Sequence, residues 1–401
     1  MKILQVNCVY NKGSTGKIMY DIHTYLQKLG HSSIVCYGRG NKSYDKDVYK
    51  TCGELYSKFN NLLSRFTGIM YGGCFFSTNK LIDIIKREKP DIVHLHCING
   101  YFVNVYRIIK WLNHNNVSTV LTLHAEFMYT ANCAYALDCE RWKTGCGNCP
   151  RLRKETNSLF FDRTHRSWTE MMQSFKGFNN LAVVSVSPWL MDRAKQSPIL
   201  RDKKHITVLN GIDTEIFKPY YEKNIKKELG IKNEKIVFHA TPKFSNNPDH
   251  IKGGYYILEL AKKMKNIKFV VAGNYIDDFS APDNVILLGN ISSKEKLAEL
   301  YSMSDLTVIA SRKETFSMIV AESLCCGTPV AGFKAGAPEQ IAIPEYSQFV
   351  DYGNIEALEN IITELLTTSF NKKDIADAAQ KQYARERMAA DYTNIYKKQR
   401  E

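Results

Sequence analysis

Short runs of apolar, β-branched residues alternate along the whole chain with longer stretches whose apolar positions recur at helical spacing. That rhythm predicts parallel βαβ units rather than a sandwich or a helical bundle. In the first half the expected strands are Ile3 to Val9, Ser33 to Tyr37, Asp91 to His96, Ser118 to His124 and Ala182 to Ser187. Between the first two lies a helix with Ile18, Ile22, Tyr25, Leu26 and Leu29 on one face and Gly30 as its stop. The second half repeats the pattern with Lys235 to His239, Lys268 to Ala272, Val285 to Leu288, Leu306 to Ala310 and Val330 to Phe333. Between the halves, Pro219 to Lys235 is rich in Lys, Glu and Asn and reads as surface linker and short helix.

The 401 residues are too many for one compact unit. The expected architecture is α/β: two doubly wound Rossmann-like domains facing across a cleft, residues 1–200 and 201–381. Lys372 to Glu401 is helical in pattern, with Tyr383, Met388, Tyr392 and Tyr396 at near-helical spacing, and is expected to return to the first domain as a helix over 382–401. In such sheets ligands sit beyond the carboxyl ends of the strands, so the loops there are where chemistry is sought.

Asn7 interrupts the apolar run at the N-terminus, and no stretch approaches about 18 unbroken apolar residues, so the chain is expected to be cytosolic. The net charge of +13 points to a polyanionic partner without choosing among nucleic acid, an anionic membrane face and a phosphorylated substrate. No stripe of basic residues interleaved with aromatics accompanies it, which argues against nucleic acid. Asp45-Lys46-Asp47 lies in a Gly/Asn/Ser-rich stretch with no second acidic cluster close by in sequence, and reads as a solvated turn; no catalytic metal is expected.

Ala310 to Glu339 carries the strongest chemical signal. A strand ends at Ala310, a polar loop holds Glu314, and a helix starts near Phe316, contains Glu322 and stops at Gly327 and Pro329. Free N–H groups at such a helix start suit phosphate oxygens, and a carboxylate on each side suits the hydroxyls of flanking sugars. Two helix-start carboxylates complementing the dipole would look the same in isolation.

The string Glu314, Glu322, Cys326 to Val330 and Gly336 to Glu339 resembles the signature of glycosyltransferase family 4, a retaining family of GT-B fold. Asn210-Gly211-Ile212-Asp213 with Phe217 looks like the family's hinge-side segment, Lys252-Gly253 like its diphosphate-holding pair, and Ala272-Gly273 and Leu288-Gly289 like later strand-end glycines. The resemblance implies transfer of a hexosyl group from a nucleoside-diphosphate sugar to a saccharide or lipid-linked saccharide acceptor, with retention at the anomeric carbon. Glu314 would orient the transferred sugar, Glu322 bind the ribose, and Lys252 with Thr315, Phe316 and Ser317 receive the diphosphate; neither glutamate needs to be a nucleophile. Where the family has an Arg, His239-Ala240-Thr241-Pro242-Lys243 stands, so Lys243 is the substitute cation, without the planar fork. A nucleotide-sugar epimerase of the same fold and a zinc-containing binding protein are the alternatives.

On the acceptor side, Gly13-Ser14-Thr15-Gly16-Lys17 opens a helix after the first strand but lacks the Walker A spacing. Gly13 and Gly16 instead resemble the family's glycine loop, and His124 its strand-end histidine near the transferred sugar. His94 and His96 share a face on the neighbouring strand. Cys133, Cys139, Cys146 and Cys149 fall in an insertion over 133–149 whose spacing suits either a structural zinc site or a reduced loop with buried thiols. The insertion resembles that of a subgroup met in bacterial surface-polysaccharide pathways, where an anionic inner membrane face is a candidate contact.

Overall fold

The computed structural model describes residues 1–221 and 225–400. Part of the expected linker, residues 222–224, lies outside the described residues; the rest of it includes the short helix Ile225–Glu228. The chain forms two compact units, one holding Met1–Leu209 with the chain from Met388 onward, the other Asn210–Arg387.

In the first unit a seven-stranded sheet has the order β3-β2-β1-β4-β5-β6-β7. Its strands are β1 (Lys2–Val9), β2 (Ser32–Arg39), β3 (Val48–Lys50), β4 (Ile92–Leu95), β5 (Thr119–Leu123), β6 (Leu181–Ser185) and β7 (Lys204–Thr207), paired parallel throughout. The second unit repeats the design with β8 (Lys235–Phe244), β9 (Ile267–Tyr275), β10 (Val285–Gly289), β11 (Leu306–Ile309), β12 (Val330–Phe333) and β13 (Ser347–Val350), in the order β10-β9-β8-β11-β12-β13. Each chain half starts at a central strand, builds outward one way, then returns to build the other way. Each sheet therefore has a switch point, between β1 and β4 in one and between β8 and β11 in the other, where adjoining loops diverge and leave a crevice.

Edge strands β3, β7 and β13 were not expected from the sequence. They are only three or four residues long, and β7 and β13 are half-buried, so they lack the longer, mostly apolar run that marks a central strand. The C-terminal segment forms two helices, Lys372–Tyr383 and Arg385–Arg400, broken at Ala384. Met388, Ala389, Tyr392, Ile395 and Tyr396 of the second are buried with Ile3, Ile18, Ile22, Ile92 and Val120 in the core of the first unit. Within the second unit, Ile212 N–H donates to Tyr383 O (2.6 Å), Arg385 N–H donates to Ile212 O (3.0 Å), and the Arg385 guanidinium pairs with Asp213. The Asn210–Asp213 segment is thus stitched to the residues at which the chain leaves that unit.

Candidate active site

The switch point of the second unit gathers most of the residues singled out in its sequence. Gly253 (φ +67°) caps the helix Gly254–Lys263, and a Cβ there would sit 1.9 Å from the Ala310 carbonyl oxygen at the end of β11. Only glycine allows the turn to lie that close, and the closeness lets Lys252 meet Glu314: Nζ is 2.7 Å from Oε1. Both side chains are largely buried, where an ion pair is screened little by solvent. Glu314 is itself fixed by the loop opposite, its N–H donating to Ala335 O (2.9 Å) while Ala337 N–H donates to Glu314 O (3.3 Å). Glu339 holds that loop in shape by accepting from Ala335 and Gly336 N–H (3.0 and 2.9 Å).

Thr315, Phe316 and Ser317 are buried and lead into the helix Met318–Cys325, shorter than the sequence suggests because Ser317 is left-handed (φ +78°). A non-glycine residue there stores strain. The Ser317 hydroxyl is buried without a hydrogen-bond partner. A strained residue with an unsatisfied hydroxyl at a helix start is ready to donate to an anion.

Glu322 lies further along that helix and lines a cavity of about 210 Å³ with Thr241, Pro242, Gly273, Asn290, Tyr301 and Ile319. Tyr301 donates its hydroxyl to Glu322 Oε2 (3.2 Å). Burial outweighs that hydrogen bond and the more distant Lys294, and pushes the carboxyl up to about 7. Gly273 at the end of β9 brings the backbone close, since a Cβ there would meet Thr241 O at 2.3 Å.

Lys243 sits beyond a register shift near the end of β8 and is exposed. Of the residues standing where the expected Arg would be, His239 is the most deeply buried. Its Nδ1 contacts Val308 O at 2.9 Å, Nε2 has no partner, and burial lowers the imidazole to about 4, so it is neutral at pH 7. Sequence reasoning passed over both His239 and Tyr301. The only signal was a polar residue within an otherwise apolar strand and a Tyr on the helix preceding β11.

At the first unit's switch point, Gly13 (φ +64°) begins the helix Gly13–Lys28, and Gly16 packs it against β1, where a Cβ would lie 3.1 Å from Val9 O. Asn7, fully buried in β1, joins the two diverging loops: Oδ1 accepts from Cys97 N–H (3.0 Å) and Nδ2 donates to Val9 O (2.9 Å). A cavity of about 310 Å³ opens beside the ends of β1 and β2, lined by Tyr10, Asn11, Lys12, Arg39, Lys42 and Asp45.

His124 stands just past β5, half-buried, with Nε2 at 3.2 Å from His96 Nδ1. His96 reaches Gln5 Oε1 through Nε2 (3.2 Å), and its ring lies 3.9 Å from that of His94. Burial lowers His94 and His96 well below the ordinary range and His124 to about 4, so all three are neutral at pH 7. His124 can therefore offer or accept a hydrogen bond but carries no charge. Two residues on, the fully buried Glu126 pairs with Arg193 (3.1 Å) and accepts from Ala136 N–H (2.7 Å), tying the Cys-rich insertion to the strand that carries His124.

Cys133, Cys139, Cys146 and Cys149 line one small cavity with Trp142 and Thr164. Among the described residues no group of three or more His, Cys, Asp or Glu side chains is disposed to hold a metal ion. Burial raises the Cys133 and Cys149 thiols and takes Cys146 to about 12.

The glycosyltransferase family 4 profile matches residues 15–216, and that of the group 1 glycosyl transferases matches 222–387. The chain is 23% identical, over 99% of both sequences, to the putative colanic acid biosynthesis glycosyl transferase WcaC of Escherichia coli. Among solved structures it is similar to the sucrose-phosphate synthase of Thermosynechococcus elongatus (TM-score 0.69, 14% identity, 99% of both chains). It is also similar to Anabaena HepE in complex with UDP and glucose (TM-score 0.65, 14% identity, 99% and 100% of the two chains). Twin parallel sheets with these profiles over their lengths make the fold GT-B, and the chain belongs to glycosyltransferase family 4.

Proposed function

We propose that this glycosyltransferase moves a hexosyl group from a nucleoside-diphosphate sugar to the hydroxyl of a saccharide or lipid-linked saccharide, with retention, in the assembly of a bacterial surface polysaccharide. The observation that carries the reading is the Lys252–Glu314 pair beside the strained start of the Glu322 helix. A cation, an unsatisfied serine hydroxyl and helix-start N–H groups suit a diphosphate. The cavity at Glu322 suits the nucleoside, with the carboxylate accepting from the ribose diol. Glu314 is left for the hydroxyls of the transferred sugar, a role it can take once the diphosphate competes for Lys252.

The reaction begins with departure of the nucleoside diphosphate, whose growing charge Lys252 and the N–H groups of Phe316 and Ser317 stabilise. The acceptor hydroxyl attacks the resulting oxocarbenium-like centre from the face the diphosphate leaves, passing its proton to the departing phosphate oxygen. His124, neutral and linked to His96, positions a sugar hydroxyl rather than supplying charge. Gly13 and Gly16 let the backbone approach the substrates, and the exposed Lys243 meets the diphosphate as a point charge. The setting we infer for the reaction is the cytoplasm. The biosynthetic setting is supported by the similarity to a protein named for colanic acid biosynthesis.

The experiment is to incubate the protein with a panel of nucleoside-diphosphate hexoses and with saccharide acceptors, and to read the anomeric configuration of any product by NMR. Acceptor-dependent transfer with retention is the expected outcome. Donor turnover to an epimerised sugar without acceptor, or an inverted product, would overturn the reading.

A further inference from the structure

The helix Glu54–Thr67 of the first unit is packed inside out. Its buried positions are Ser57, Asn60 and Ser64, one helical face, whereas Leu55, Phe59, Leu62, Leu63 and Phe66 point to solvent, with Leu55 82% exposed. The polar face is satisfied inside: Ser57 donates to Gly100 O (3.3 Å), Asn60 Oδ1 accepts from Cys74 N–H (2.8 Å), and Ser64 meets the Tyr101 hydroxyl (3.3 Å). These bonds fix the rotation of the helix, so the outward apolar face is built in. Burying its large side chains would be worth far more than the few polar contacts that hold it outward.

The face continues beyond the helix. Phe160 approaches Phe66 with ring centroids 5.9 Å apart and neighbours Phe161, while Leu159 N–H donates to Arg65 O (2.8 Å). On the other side Phe76, 78% exposed, packs on Tyr56. Phe75 lines a cavity of about 370 Å³ with Ile69, Arg107, Lys110, Arg166 and Glu170. An exposed apolar surface of this extent, in an otherwise well-packed unit, marks a docking face.

Charge selects the occupant. Lys58, Arg65, Arg163 and Arg166 are exposed in or beside the apolar surface, and Arg163 lies over the Phe161 ring at 5.7 Å. The acids nearby are engaged: Glu54 by Arg39 and the Gly40 N–H, Asp162 by Thr164 and the Cys149 N–H, Glu170 by Lys110. Apolar side chains ringed by uncompensated cations, on a chain of net charge +13, complement a bilayer bearing anionic headgroups. Pairing this face with the same face of a second copy would set like charges against each other.

We propose that this face, centred on the outward side of Glu54–Thr67, seats the protein on an anionic phospholipid surface. Phe59, Leu63, Phe76 and Phe160 enter the headgroup boundary, and Arg107 and Arg166 at the adjoining cavity take headgroup phosphates. The proposal stands apart from the donor chemistry and does not depend on the sugar transferred.

The test is co-sedimentation of the intact protein with vesicles of equimolar phosphatidylcholine and phosphatidylglycerol, and with pure phosphatidylcholine, at low salt. The expected result is binding that needs phosphatidylglycerol and weakens as salt rises. Affinity should fall about tenfold or more in the Phe59→Ser/Leu63→Ser double variant and also in Arg163→Glu/Arg166→Glu, with melting temperatures held, since all four side chains are exposed. Failure of the wild-type protein to bind, or binding unchanged in both variants, would overturn the proposal. So would a concentration-dependent dimer in sedimentation velocity that Phe59→Ser/Leu63→Ser dissolves without any vesicle binding, which would assign the face to a second copy.

Discussion

Lys252 and Glu314, 62 positions apart in the chain, meet at 2.7 Å across a turn that only glycine can make. The carboxylate holds the ammonium in place. A diphosphate would draw that ammonium to itself and leave the carboxylate for the sugar. Replacing Lys252 by Met removes the cation that meets the departing diphosphate. The turnover number should fall by about 10² to 10³, the range seen when one preorganised donor to a developing anion is lost. Steady-state kinetics at saturating donor measures it.

Gly253 guards the same geometry. Gly253→Ala places a Cβ against the Ala310 carbonyl oxygen in a left-handed backbone, and the two faults together should cost roughly 2 to 5 kcal/mol. A lower melting temperature together with weakened donor binding is expected, because the turn that carries Lys252 must retreat.

Glu322 makes donor binding depend on pH. Its carboxyl, raised to about 7 by burial, is largely protonated at about pH 6 and ionised at about pH 8. The ionised form accepts from the ribose hydroxyls through stronger, charge-assisted bonds, and the protonated form does not. Nucleoside affinity should therefore rise through neutrality, and Glu322→Gln should bind more weakly and lose the step. Calorimetric titration with a nucleoside in place of the diphosphate keeps phosphate ionisation out of the comparison.

The same shift has a stability consequence of opposite benefit. Between its unfolded value of 4.5 and about 7 the folded protein holds a proton that the unfolded chain has released, so stability falls as pH rises across that window. Above it the buried charge costs on the order of 3 kcal/mol. Glu322→Gln should raise the melting temperature of the donor-free protein at about pH 8 and change it little below about pH 4. Calorimetric melting across pH reads both ends.

In the first unit, His94 Nδ1 lies 2.7 Å from the Tyr396 hydroxyl, and Thr122 lies 2.9 Å from that of Tyr392. Tyr396→Phe leaves a fully buried imidazole nitrogen unpaired and should destabilise the protein by about 1 to 3 kcal/mol. Thermal melting measures the loss, and the Michaelis constant for the donor should not change.

The central strands were legible in sequence because each is buried on both faces and reads as a short, mostly apolar run. The Glu314 to Glu339 segment was legible because its chemistry is local, a loop, a helix start and a turn in one stretch of chain. What escaped depends on residues far apart. Nothing near His94 announces Tyr396, and no spacing rule links Glu126 to Arg193 or Tyr301 to Glu322. The four cysteines leave a zinc site and a reduced loop both open for the same reason, since spacing says which thiols are neighbours in the chain and not whether they turn toward one ion. The helix Glu54–Thr67 reverses the usual inference outright. Its apolar stripe would be read as the core-facing side, but Ser57, Asn60 and Ser64 are buried because partners on other segments satisfy them.

The most direct test of the donor site is isothermal titration of the protein with the common nucleoside diphosphates, repeated with Glu322→Ala and Lys252→Met. Selective binding of one base is the expected result, abolished in Glu322→Ala and weakened in Lys252→Met. If no nucleoside diphosphate binds, or if one binds equally well to both variants, the second unit's switch point is not the donor site.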